Sequence, residues 1–189
     1  TEGSKDTKPN DKENVVDALG DIGLGTDDID LVVNSHLHMD HCGCNEFFKK
    51  ATMIVHEAEL ARVRDPKVEG RGYFKSDWDT GNEFDVINTQ RDLFGDDRII
   101  LLPLPGHTPG STGALVNFEN SGTFLLASDA VAVEENLNPD IVSKNLWDRD
   151  QSFKSVAEVK KIQSQGTTII FGHDINQWQN LKKGAETYD

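Results

Sequence analysis

Apolar residues in this chain come in short runs divided by glycine and charge, and most runs end on a polar side chain. The opening stretch "TEGSKDTKPNDKEN" is too polar to fold alone and reads as a tail. A short helix is expected over 15–19, closed by Gly20, Gly23 and Gly25. Thr26-Asp27-Asp28 is a helix-start signal, and a buried strand is expected over 30–34. A short helix over 45–50, a strand over 52–56 and a helix over 57–64 follow. From 65 to 92 the pattern loosens around Tyr73, Phe74, Trp78 and Phe84, which suggests a surface excursion serving as a lid or docking surface. A strand over 98–104 runs into "PGHTPGS", and "GALVNF-ENSG-TFLLAS" has the form of a β-hairpin. Phe153, Val156, Val159 and Ile162 recur at helical spacing over 151–165. Gly166 ends that helix, and a last buried strand over 167–171 enters "GHD". Strands alternating with helices predict an α/β fold.

One regularity runs through these elements. His36, His38, Asp40 and His41 follow one apolar strand, and His107, Asp129 and His173 each follow another. Loops at the ends of neighbouring strands converge in space, where α/β folds place their chemistry. In "HLHMDH" the alternate histidines can reach one metal from a turn, while Asp40 and His41 can reach a second. Imidazole and carboxylate suit zinc and similar divalent ions. A two-metal site needs further ligands and a shared group, which the later strand ends offer. A carboxylate such as Asp129 can bridge two cations. Taken singly, His107 and Asp129 could be turn residues and His173 a helix cap; their joint occurrence makes them ligands.

Composition narrows the setting. The chain has 189 residues, 36% of them hydrophobic and 28% charged, as in an ordinary globular protein. No apolar run approaches the roughly 18 residues of a membrane helix, so no membrane partner is expected. A net charge of −14 without a basic block disfavours nucleic acid. Cys42 and Cys44 are too close in sequence for an ordinary disulfide and point to a reducing, cytoplasmic setting. With the ligand set already filled, they are expected to pack beneath the motif rather than to ligate. His56 is expected to start a helix. Asp174 either orients a ligand from behind or begins the next helix.

The H-x-H-x-D-H signature, with His in "PGHTPGS", Asp in "LLASDA" and His in "FGHD", resembles the metallo-β-lactamase superfamily. Within it, "VVNSHLHMDHCGCN" and "IIFGHD" are most similar to the N-acyl homoserine lactone lactonases, the quorum-quenching enzymes. The resemblance implies an αββα sandwich and a site holding two divalent metal ions, zinc foremost. His36, His38 and His107 would hold one ion, Asp40, His41 and His173 the other, and Asp129 would bridge. It implies opening of a lactone ring by attack of a metal-bridging hydroxide, with Asp40 and Asp129 as the catalytic carboxylates. Rival readings are hydrolysis of another ester, of a thioester in the manner of glyoxalase II, or of a β-lactam. A non-catalytic metal-binding protein is a further alternative. A small-molecule substrate is the expected partner, and the reading admits a homodimer.

Two departures from the family pattern stand out. Many of these lactonases carry a tyrosine three residues after the bridging aspartate, whose phenol donates to the substrate carbonyl. Here that position is Ala132, and Tyr73 is one conceivable substitute. Family members also begin with several strands before the histidine motif. The expected organisation is therefore a polar tail and short helix over 1–26, then a metallo-hydrolase domain over 27–189 without the N-terminal strands of the fold.

Overall fold

A computed structural model describes residues 14–138, 141, 145–183 and 186–189; the expected tail falls almost wholly outside them. The chain runs through α1 (Val15–Asp21), β1 (Leu31–Val33), α2 (Met39–Cys42), β2 (Thr52–His56) and α3 (Glu57–Val63). Next come α4 (Lys75–Trp78), β3 (Phe84–Ile87), β4 (Arg91–Asp92), β5 (Ile99–Pro103), β6 (Thr112–Phe118) and β7 (Gly122–Ser128). Helix α5 (Arg149–Ser164), β8 (Thr168–Phe171) and α6 (Ile175–Asn180) complete it. The strands form two sheets. One is parallel, in the order β1-β2-β3. The other has the order β4-β5-β6-β7-β8, antiparallel except for the parallel β7–β8 pair.

Strand β2 shows how the layers stack. Met53, Ile54 and Val55 are all buried, as expected of a strand covered on both faces. Ile54 meets Ile87 and Leu101 between the sheets, while Val55 packs outward on Leu60 and Val63 of α3. On the far side, Val156, Val159 and Ile162 of α5 cover Leu125 and Ile169 of the larger sheet. Helix, sheet, sheet and helix are the four expected layers. Among the described residues no helix is long and apolar enough to cross a membrane.

Two expectations need correction. The strand before the histidine motif is an edge strand, not a buried one, and Leu31 and Val33 are each 38% exposed. A run of apolar residues cannot itself say whether a neighbour covers it. The aromatic stretch after residue 65 is also no free excursion. Tyr73 and Trp78 are buried with Leu37 and Cys42, and the stretch supplies β3, paired to β2. His56 caps α3 by accepting from the Ala58 amide at 3.1 Å. Asp174 begins α6, accepting from the Gln177 amide at 2.9 Å.

Because Ile54 is fully buried between the sheets, Ile54→Ala should leave a cavity in the central core. A loss of about 2–5 kcal/mol in unfolding free energy is expected, read from denaturant titration.

Candidate metal centre

All seven ligand-type residues converge at one edge of the sandwich. The His36–His41 turn leaves β1 and enters α2, with His38 as its N-cap residue. His107 lies between β5 and β6, Asp129 begins just past β7, and His173 lies between β8 and α6. His36 Nε2 and His107 Nε2 stand 3.1 and 3.0 Å from His38 Nδ1. His41 Nε2 and His173 Nε2 stand 3.6 and 3.7 Å from Asp40 Oδ2. Asp129 divides its two oxygens between these groups. Oδ1 faces His41 at 3.4 Å and His173 at 3.1 Å, while Oδ2 faces His107 at 3.3 Å.

This donor set fits divalent ions. Ligands roughly 2.0–2.1 Å from one tetrahedral ion stand about 3.3–3.4 Å apart, close to the separations found here. His41 Nε2 and Asp129 Oδ1 are buried and lack a hydrogen-bond partner, an arrangement that is costly unless a cation lies between such groups. Among the described residues, three sets of donors lie close enough to share an ion: His36, His38 and His107; His36, His41 and Asp129; and Asp40, His41 and His173.

Electrostatics prepares several of these groups as ligands. Burial, reinforced by neighbouring imidazoles, pushes His36 down to about 2 and His38 to about 4. Burial also lowers His107. These rings are therefore neutral near pH 7, the form a metal requires. At His41 burial works against the charge, but Asp129 and then Asp40 outweigh it and raise the ring above its ordinary value. Asp129 is lowered despite burial, because His41 and His107 adjoin it.

The backbone is shaped to aim these groups. Ser128 adopts φ 48°, an unusual conformation for a residue with a side chain, where the β7–β8 register shifts. Its hydroxyl donates to Ser35 Oγ at 2.8 Å, tying the Asp129 turn to the histidine turn. Gly172 has no space for a side chain, since a Cβ would lie 2.7 Å from Asp129 Oδ1.

Sequence reasoning missed Glu59. This carboxylate is fully buried on α3. Its Oε1 accepts from the Leu37 amide at 3.0 Å and from the Tyr73 hydroxyl at 3.1 Å. Its Oε2 accepts from the Gly110 amide at 3.1 Å. One carboxylate thus holds the His36–His38 segment and the loop that carries His107. The Tyr73 ring lies 4.5 Å from that of His38, and its hydroxyl proton is committed to Glu59. Tyr73 is therefore no stand-in for the phenol absent at Ala132. A glutamate inside a helix-forming run carries no sign of this role; only the folded contacts reveal it.

A cleft of about 890 Å³ opens over the cluster, lined by His38, Asp40, His107, Asp129 and His173 together with Met39, Arg62, Arg71, Tyr73, Ala132 and Trp147. The model of the metallo-beta-lactamase superfamily matches residues 3–173. The chain belongs to that superfamily.

Within the superfamily, the chain is 31% identical over 180 residues to the N-acyl homoserine lactonase AttM of Rhizobium radiobacter, covering 92% of this chain and 68% of that protein. It is 32% identical over 188 residues to the N-acyl homoserine lactonase AiiB of Agrobacterium fabrum, covering 93% and 67%. The fold is similar to that of an AiiA variant from B. thuringiensis with N-decanoyl-L-homoserine bound at its active site. The TM-score is 0.82 at 27% identity, over 93% of this chain and 68% of that one. Membership of the superfamily supports divalent-metal binding, and the ligand-type residues at the strand ends are close enough together to hold such ions.

Two outcomes are expected. Glu59→Gln replaces one acceptor oxygen by a donor that faces a backbone amide, so metal affinity should fall about 10–100-fold in a chelator competition. Unaltered affinity would remove Glu59 from this role. In the metal-free chain, His36, His38 and His107 have folded values below the unfolded 6.5, whereas His41 lies above it. The three lowered rings contribute stability above the unfolded value that is lost as pH falls; the raised one contributes oppositely. Over that group of four, the melting temperature should therefore fall from pH 7 to pH 4, as scanning calorimetry would measure.

Proposed function

We propose that this chain is a dinuclear zinc hydrolase that opens the ring of N-acyl homoserine lactones. The observation that carries this reading is the division of Asp129, with one carboxylate oxygen toward His107 and the other toward His41 and His173. A carboxylate so placed suits two ions rather than one. His36, His38 and His107 would hold the first, Asp40, His41 and His173 the second, and Asp129 both. When bound, the ions supply Lewis acidity toward an ester carbonyl and a water that ionises near neutral pH.

The chain's own residues do the remaining work. Asp40 Oδ2 is positioned between His41 and His173, exposed to the cleft, as a carrier of the proton between attacking water and departing alkoxide. Met39 and Trp147 offer apolar surface to an acyl arm. The lactone substrate is supported by AttM and AiiB, which are N-acyl homoserine lactonases, and by a similar lactone hydrolase with N-hexanoyl-L-homoserine bound at its catalytic metal centre.

Zinc-loaded protein should release acid from N-hexanoyl-homoserine lactone in a pH-stat. Chelation should stop release and zinc should restore it, with two equivalents of metal found by elemental analysis. His107→Ala should lower turnover by at least about a hundredfold, through loss of a ligand. Cleavage of a glyoxalase II-type thioester with no lactone opening would assign the site to that chemistry instead.

A further inference from the structure

The cleft contains more cationic chemistry than ring opening requires. Arg62 and Arg71 both line it. Among the described residues, no carboxylate forms an ion pair with either, although acidic residues outnumber basic ones by 33 to 19. Guanidinium groups without a carboxylate partner in so acidic a chain are open to an anion from outside.

Local structure directs both toward the site. Arg62 follows Glu59 by three residues on α3, so the two side chains leave the same helix face. Its Nε is shielded from solvent and has no hydrogen-bond partner. Its guanidinium adjoins the Tyr73 phenol, which is itself committed to Glu59. Arg71 precedes Gly72, whose carbonyl accepts from the Met39 amide at 2.9 Å. Gly72 also lies so near the His38 ring that a Cβ there would stand 3.1 Å from it. That loop is thereby held against the metal-ligand turn. Ala132, in the same cleft, has no polar side chain to offer a substrate.

A neutral, purely apolar arm would displace water from the two guanidinium groups lining the cleft and give them no acceptor in exchange. A carboxylate would supply that acceptor, and the planar guanidinium is the side chain best matched to that group. We propose that Arg62 and Arg71 form an anion subsite in the metal cleft, and that the preferred substrate is a lactone whose acyl arm carries a carboxylate. This rests on the lactonase reading for the ring and extends it to the arm. The metal cluster engages the scissile ester, and the arginines engage the far end of the same molecule.

The test compares two lactones of equal arm length on zinc-loaded protein, N-hexanoyl- and N-adipoyl-homoserine lactone, the second ending in a carboxylate. The adipoyl compound should have a kcat/KM higher by about tenfold or more, as one charge-assisted pair gives. Raising salt should shrink that ratio, and Arg62→Gln and Arg71→Gln should each bring it toward one. Equal kcat/KM for the two lactones, or a ratio untouched in both variants, would overturn the subsite. Adipate and hexanoate binding, followed by calorimetry, reads the subsite without turnover. Tighter binding of adipate, lost in Arg62→Gln, supports it, and equal binding overturns it. Failure to open either lactone would count against the ring assignment alone.

Discussion

The site depends on one buried carboxylate that is not itself a ligand. Glu59 accepts from the Leu37 amide, the Gly110 amide and the Tyr73 hydroxyl. Leu37 sits between His36 and His38, and Gly110 sits three residues beyond His107. Three imidazoles carried on two separate loops are thus referred to one anchor on α3. A buried anion is costly unless its lone pairs are filled, and here three donors fill them. The requirement works both ways: the loops satisfy the charge, and the charge fixes the loops.

On the other side of the cluster, geometry is imposed by the backbone. The positive φ at Ser128 and the absence of a side chain at Gly172 let Asp129 lie between two groups of histidines. Burial then keeps His36, His38 and His107 in the neutral form, while Asp129 raises His41. Packing and electrostatics therefore prepare the same donors. The preparation is paid for by the strained turn and by polar atoms left without protein partners.

Charge is unevenly used. The chain as a whole is strongly acidic, yet its metal cleft carries Arg62 and Arg71 without ion pairs among the described residues. Two arginines in one cleft of an acidic body offer an anion a local partner, while the acidic surface around them repels it. In the proposed subsite, these two arginines would select the acyl arm while the metal cluster engages the ring.

By itself, the sequence determined the ligand types and their delivery at strand ends, because both are local. Apolar runs mark strands, and the residues after them mark loops. That logic located β2, the β6–β7 hairpin, α5 and all seven ligand-type residues. Tertiary structure alone decided what depends on neighbours distant in sequence. It left β1 at a sheet edge with Leu31 and Val33 exposed, and it buried Tyr73 and Trp78. It turned Glu59 from one more helical acid into an anchor and withdrew Tyr73 from any donor role. Periodicity reports which side chains prefer burial, but not which hydrogen bonds will exist once they are buried.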